Sequence, residues 1–365
     1  MRQIYLAATG MNRGKTTVCL GLLDGFLSRG LATGFLKPVG QRTVIDDGVP
    51  ADKDAVLMRQ VFSLPDSMPV MSPVHIPRGF TKAYISGEVV EDLGAKIRAA
   101  HRTLSRDREM LLIEGTGHAG VGAVVGLSNA TVAALLGAPT IIVSEGGVGR
   151  PIDEIVLNAS LFASHGVDVV GAIVNKVDFD AQPGIVQILE RGLALHGIRL
   201  LGVLPYRPIL SNPTLAMVLE GVRGETIWPG PDLDRVIDGV AVGAMLPEHM
   251  LERVGPGTLV IAPGDREDVI LALCDSATAG DGRHGLGLVL TGGYRPRKAV
   301  AEAIRAADLF ATLVPEDTYA VASEVHDLLV KTHPSDAEKI ALIKAVVAEH
   351  IDMDRILDVA APAPA

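Results

Sequence analysis

Ile4-Tyr5-Leu6-Ala7-Ala8-Thr9-Gly10-Met11-Asn12-Arg13-Gly14-Lys15-Thr16-Thr17-Val18-Cys19-Leu20-Gly21-Leu22-Leu23 sets one apolar run before a glycine turn and another after it. The first reads as a short strand and the second has helical potential. Strand, glycine loop and helix in that order bring backbone N–H groups and the helix N-terminus, about half a positive charge, onto one point, which suits phosphate oxygens. In such a loop Lys15 reaches the outer phosphates and the Thr16 hydroxyl sits on magnesium, while Gly10, Asn12, Arg13, Gly14 and Thr17 complete the cradle. The usual glycine five residues before Gly14 is here Thr9, with Gly10 one place later.

Working outward, Leu31–Leu36 reads as a buried strand that delivers Lys37-Pro38-Val39-Gly40-Gln41 to its C-terminal end, where ligands lie in open α/β sheets. Lys37 there either neutralises charge on a transferred phosphoryl group or is a solvated strand-end lysine. Asp46, Asp47, Asp52 and Asp54 fall in a stretch with Gly48 and Pro50 that leads into a helix near 55–58. Asp54 is placed to complete a magnesium shell through water, and Asp52 equally to cap the helix. Residues 63–88, with four prolines and the polar His75, Arg78 and Lys82, read as a long loop and a place for a second substrate.

Helical spacing recurs in Val90, Leu93 and Ile97. The strand Met110-Leu111-Leu112-Ile113 then ends in Glu114, a rigid mount for a magnesium-ordering carboxylate. The turn Thr116–Gly122 lets backbone approach a ligand, and His118 in it is a general base or a plain loop residue. A helix over 129–136, a strand over 139–143, a helix opened by Pro151 and a strand over 169–174 follow. The last ends in Asn175-Lys176-Val177-Asp178. Asn175 offers donors and an acceptor to a purine edge, and the same four residues also match the guanine-reading order of GTPases, in which Asp178 takes the base. Alternation of strand and helix predicts an α/β fold with a mostly parallel sheet covered on both faces.

Composition narrows the choice. The chain has 365 residues, enough for two domains, and its 48% hydrophobic content contains no run near the ~18 apolar residues that span a bilayer. No secretory leader pattern is visible, so a cytoplasmic protein is expected. Cys19 and Cys274 stand alone in apolar surroundings and read as core. A net charge of −10 and 4% aromatics argue against nucleic acid as a partner and for a small nucleotide.

A proline-rich stretch over 205–235 reads as the domain boundary, after which strands restart near 240, 258, 287 and 309. Three of them end in polar turns: Gly264-Asp265-Arg266, Thr291-Gly292-Gly293 and Glu316-Asp317-Thr318-Tyr319. Ser335-Asp336-Ala337-Glu338 is a capping box that opens a helix with Ile340, Ile343, Val347 and Ile351 on one face. The Ala-Pro tail reads as disordered.

Taken together, these motifs resemble the dethiobiotin synthetase group of P-loop proteins over residues 1–210. The likeness rests on Thr9–Thr16 with its displaced glycine, Lys37-Pro38-Val39, Asp54-Ala55, Glu114-Gly115, Asn175-Lys176-Val177 and Leu201-Gly202-Val203-Leu204-Pro205. The resemblance implies ATP over GTP, with Asn175 on adenine and Pro205 beside the base, and magnesium held by Thr16, Asp54 and Glu114. Gly40-Gln41 stands where the synthetases carry Ala-Ser, and Lys-Pro-hydrophobic-x-Gln with Glu-Gly-Thr is closer to the N-terminal region of long bacterial phosphotransacetylases. Those proteins also carry a DRTGG domain, which residues from about 215 to 325 resemble.

The resulting expectation is a P-loop ATP-binding domain over 1–210, a linker over 211–235, a DRTGG domain over 236–330, a helix over 331–357 and a disordered tail over 358–365. The expected function is a homodimeric, ATP- and Mg2+-binding regulatory protein, with no acetyltransferase activity of its own. Alternatives are an ATP-dependent ligase acting on a carboxylate or carbamate, with Lys15 and Lys37 as catalytic residues, or a GTPase. Asp265 and Arg266 are expected to form an internal ion pair or turn rather than a ligand site.

Overall fold

The computed structural model describes residues 1–89, 91–280, 285–326, 328 and 332–362; Val90, placed above at the start of a helix, lies outside them. The chain forms two compact units, Met1–Tyr206 with Thr332–Ala365, and Arg207–Lys331.

In the first unit six parallel strands lie in the order Leu200–Pro205, Val169–Val177, Thr140–Glu145, Arg2–Ala8, Met110–Glu114, Thr33–Leu36. The inner strands are almost wholly buried, as strands covered by helices on both faces must be. Arg2–Ala8 lies between strands that come later in the chain, so the order reverses beside it and its C-terminal end opens on the crevice where ligands bind. The phosphate loop leaves from that end.

The helix Lys15–Ser28 follows the loop directly. The presumed loop before residue 54 is instead a hairpin, Thr43–Asp46 with Val49–Asp52, closed by Asp47 and Gly48 in left-handed conformation. Residues 63–88 are more ordered than a long loop. They contain the short helices Met68–Met71 and Phe80–Ile85, and the strand Val74–His75, which pairs with Val39–Gly40.

The C-terminal segment belongs to this unit. Helix Ala337–His350 packs along Lys15–Ser28, where a Cβ on Gly21 would stand 2.3 Å from Val347 Cβ, so only glycine allows the approach. Lys344 pairs with Asp24 at 2.9 Å and lies over the Phe62 ring at 4.8 Å. Ser335 and Glu338 do not form the expected capping box, because the helix starts after Asp336, whose side chain accepts from the His333 amide. A second helix, Met353–Val359, follows, and Ala361–Pro362 pairs antiparallel with Arg2–Gln3. The tail is therefore ordered through 362, since the first strand has free backbone groups there: its pairing with Thr140–Glu145 begins only at Tyr5. Ile351 likewise bridges Gly202 on the outer strand, which protects a sheet edge.

The second unit is a five-stranded sheet in the order Glu225–Trp228, Phe310–Leu313, Gly287–Thr291, Thr258–Pro263, Gly239–Val242, antiparallel only at the first pairing. Alternate side chains feed two cores: Val260, Leu288 and Leu290 on one face, Leu259, Ile261 and Val289 on the other. The segment read as a linker supplies part of this unit. Leu215, Val218 and Val222 of helix Leu215–Val222 are buried in the second core, and Glu225–Trp228 is the edge strand.

Asp265 and Arg266 form the expected turn, in which the Arg266 amide donates to the Pro263 carbonyl at 3.0 Å, while the Arg266 side chain pairs with Asp268 and not with Asp265. It also donates to the carbonyls of Gly243 (3.1 Å) and Met245 (2.8 Å), so it clamps the turn after Gly239–Val242. Thr291 and Thr318 share a hydroxyl hydrogen bond of 2.8 Å, and Asp317 accepts from the Ala320 amide.

Candidate functional site

Gly14 sits at φ 89° as the N-cap of Lys15–Ser28, and no side chain caps that helix. Its first amides are therefore available to an anion, and Asn12 at φ 58° gives the loop the alternating handedness of an anion-binding nest. Thr9, in place of the usual glycine, shares a 3.1 Å hydrogen bond with Ser144. Gly10 lies under the Arg13 side chain, and Thr17 is half-buried one residue past Thr16.

Behind the loop is a buried charge cluster. Lys37, 3% exposed, donates to Asp54 Oδ2 (2.9 Å), Glu114 Oε1 (3.1 Å) and the Gly115 carbonyl (3.2 Å). Burial works against its charge, but the facing carboxylates of Asp54 and Glu114 outweigh it and hold the ammonium well above the ordinary lysine value. Thr16 donates to Glu114 Oε1 at 2.9 Å. Burial also raises the Glu114 carboxyl, with Lys37 opposing. With both groups raised, the proton between them rests on the more basic lysine. Lys15 is pushed down to about 8, first by burial and then by the Lys37 charge.

The thiol of Cys19, one turn beyond Lys15, is pushed up by burial and by Glu114 and remains a buried thiol. Asp52 caps helix Lys53–Phe62 by accepting from the Asp54 amide, which aims Asp54 at Lys37.

Glu114 Oε2 is buried and has no hydrogen-bond partner. A carboxylate oxygen in that position, beside a threonine hydroxyl and at the phosphate loop, suits a hydrated magnesium ion. Among the described residues no group of three or more His, Cys, Asp or Glu could hold a metal.

Structural side chains fix the turn after Glu114. Asn129 Oδ1 accepts from Tyr5 Oη (2.7 Å) and the Thr116 amide (3.0 Å), and its Nδ2 donates to the carbonyls of Thr116 and His118. Asn158 Oδ1 accepts from the Ala119 amide. His118 itself is exposed, and its Nδ1 accepts from the Gly120 amide. His75 is half-buried with burial lowering its pKa, and Arg78 is exposed.

The remaining site residues gather at the strand ends. Asn175 Nδ2 donates to the Arg13 carbonyl (3.2 Å), and Lys176 Nζ donates to the Asn12 carbonyl (3.0 Å) and Glu145 Oε1 (2.7 Å). Arg13 pairs with Glu145 and reaches Glu154 at 3.7 Å. Asp178 is exposed and accepts from the amides of Asp180 and Ala181. Pro205 is buried in register with Val177.

The structure thus brings Lys15, Thr16, Lys37, Asp54 and Glu114 together, and sets Asn175 against the loop. Glu145, Glu154 and Lys176 were not expected from sequence as site residues, although Lys176 belongs to the Asn175-Lys176-Val177 motif. Glu145 could have been, since like Glu114 it is an acid at the end of an apolar strand.

A parallel α/β sheet with a Gly-Lys-Thr loop at the C-terminal end of a central strand defines a P-loop NTPase. The chain belongs to the AAA domain family (AAA_26), whose model matches residues 2–214, and residues 217–328 match the DRTGG domain. It is 27% identical over 370 residues to phosphate acetyltransferase of Nitratidesulfovibrio vulgaris, covering 97% of this chain and 51% of that protein. Against the Pseudomonas putida phosphate acetyltransferase it is 28% identical over 371 residues, covering 96% and 51%. The chain spans about half the length of these relatives and corresponds to their N-terminal half.

Among solved structures it is similar to the MinD cell division protein of Aquifex aeolicus, with TM-score 0.35, 12% identity, 57% of this chain and 84% of that one. It is also similar to the CBS and DRTGG domains of the Clostridium perfringens pyrophosphatase regulatory region, with TM-score 0.28, 20% identity, 38% of this chain and 63% of that one. No helix among the described residues is long and apolar enough to cross a membrane.

Proposed function

We propose that the first unit binds ATP with magnesium and that the chain is a nucleotide-dependent regulatory protein of the phosphotransacetylase N-terminal type, working as a homodimer. In this reading the loop amides and Lys15 hold the phosphates. Thr16 takes the ion directly, and Glu114 and Asp54 hold its waters. Magnesium, when bound, supplies positive charge beside the outer phosphates.

The observation that carries the regulatory reading is the state of Lys37. A ligase would direct this lysine at a second substrate, but here it is closed in by Asp54, Glu114 and the Gly115 carbonyl. Its backbone is tied as well, since the Lys37 amide donates to the Met71 carbonyl at 2.7 Å. Asp178 Oδ1 is engaged by two amides of its own turn, which weighs against the guanine reading.

Calorimetry with ATP and Mg2+ on the wild type and Lys15→Ala tests the nucleotide reading, with binding expected only in the wild type. ATP turnover in the presence of small acids and amines then tests the regulatory part. Turnover that such a compound stimulates and Lys37→Ala abolishes would make the chain a ligase. Tighter binding of GTP than of ATP would overturn the adenine assignment.

A further inference from the structure

Two side chains at the end of strand Val169–Val177 grip the phosphate loop by its backbone. Lys176 Nζ holds the Asn12 carbonyl at 3.0 Å, and Asn175 Nδ2 holds the Arg13 carbonyl at 3.2 Å. In a trans peptide the N–H points opposite to the C=O. Drawing these two carbonyls toward the Val169–Val177 strand therefore turns the N–H groups of Arg13 and Gly14 the other way.

Without such anchors the carbonyls would be free to rotate toward a bound anion and repel it. The grip is itself fixed. Lys176 is held at φ 58°, its ammonium also pairs with Glu145, and Asn175 Oδ1 accepts from the Lys176 amide at 2.9 Å. Asn175 is buried, and a Cβ on Gly14 would fall 1.9 Å from its Nδ2, so the side chain fills the room that only glycine leaves.

We propose that Asn175 and Lys176 are positioning residues for the phosphate loop, setting affinity for the polyphosphate whatever base is attached. The inference rests on the nucleotide-binding reading above and deepens it. It moves the main task of Asn175 from the purine edge to the loop backbone.

The test measures binding of inorganic tripolyphosphate, ATP and GTP, each with Mg2+, to the wild type and to Asn175→Ala, Lys176→Ala and Lys176→Arg, with thermal unfolding as the check on folding. Both alanine variants are expected to weaken tripolyphosphate and the two nucleotides alike, by about ten-fold in Lys176→Ala, which loses a charge-assisted hydrogen bond, and by roughly three- to ten-fold in Asn175→Ala, which loses a neutral one, and to leave the ATP-to-GTP ratio unchanged. Lys176→Arg should restore most of the loss. Wild-type affinity for tripolyphosphate in both folded alanine variants overturns the proposal, as does a loss in Asn175→Ala confined to ATP. Should an alanine variant not fold, Lys176→Met, which keeps the apolar stem and removes only the ammonium that holds the Asn12 carbonyl, is expected to give the same base-independent loss, and unchanged tripolyphosphate binding there overturns it. A wild type that binds neither ATP nor tripolyphosphate instead sinks the nucleotide reading itself.

Discussion

The Thr16 hydroxyl donates to Glu114 Oε1 at 2.9 Å across 98 residues of sequence, tying the phosphate loop to the end of a neighbouring strand. The second Glu114 oxygen is buried and unpartnered. Glu114→Gln keeps the shape but removes the charge, so the magnesium-dependent part of ATP affinity should fall by about ten-fold or more, while binding measured in EDTA changes little. Titration calorimetry with and without the metal reads both.

The Lys37 ammonium lies between Asp54, at 2.9 Å, and Glu114, at 3.1 Å. Lys37→Met would leave two carboxylates facing one another in the interior, and breaking a buried pair by removing one partner costs roughly 3–5 kcal/mol. The loss in urea unfolding should be greatest near neutral pH and shrink in acid, as Glu114, already raised by burial, takes up a proton.

Lys15 titrates near pH 8, lowered by burial first and Lys37 second. Between that value and about 10.4, the unperturbed lysine value, the unfolded chain binds more protons than the folded one, so folding stability gains from Lys15 as pH rises through this window. Phosphate binding needs the charged form. ATP affinity should therefore fall as pH rises above about 8, approaching ten-fold per unit, with proton uptake on binding that Lys15→Arg removes. Calorimetry in two buffers of different ionisation heat measures that uptake.

Gly21 and Gly25 face the returning C-terminal helices, and the two contacts differ. At Gly21 an added Cβ meets Val347 Cβ at 2.3 Å, close to the helix backbone, whereas at Gly25 it meets the Cε end of Met353 at 2.7 Å. Gly21→Ala should cost about 1–3 kcal/mol by overpacking. Gly25→Ala should be close to neutral, because the methionine can swing aside and alanine favours the helix by up to about 1 kcal/mol. Chemical unfolding of the pair of variants decides this.

The sequence was readable where structure is local. The strand, loop and helix from Arg2 to Ser28 and the acid at the end of Met110–Glu114 follow from period and turn chemistry alone. Partners brought together by the fold were not readable. Lys37, Asp54 and Glu114 each looked suited to a nucleotide site, but nothing along the chain shows that the lysine lies between the two acids. For Asn175 only the purine edge was legible, because its contact in the fold, the Arg13 carbonyl, is 162 residues away. The helix Leu215–Val222 was hidden by flanking prolines, and the hairpin over 43–52 by its aspartates, both of which read locally as loop.

The discontinuity of the first unit bears on how the protein is made. Its sheet pairing at Arg2–Gln3 and the cover over Lys15–Ser28 come from residues that leave the ribosome only after the whole of Arg207–Lys331 has been synthesised. The later-made unit is continuous in sequence and has all its strands when its last residue emerges. The first unit, begun earlier, must wait with part of its apolar helix uncovered, and a fragment cut at the family boundary near 214 would never lose that exposed face.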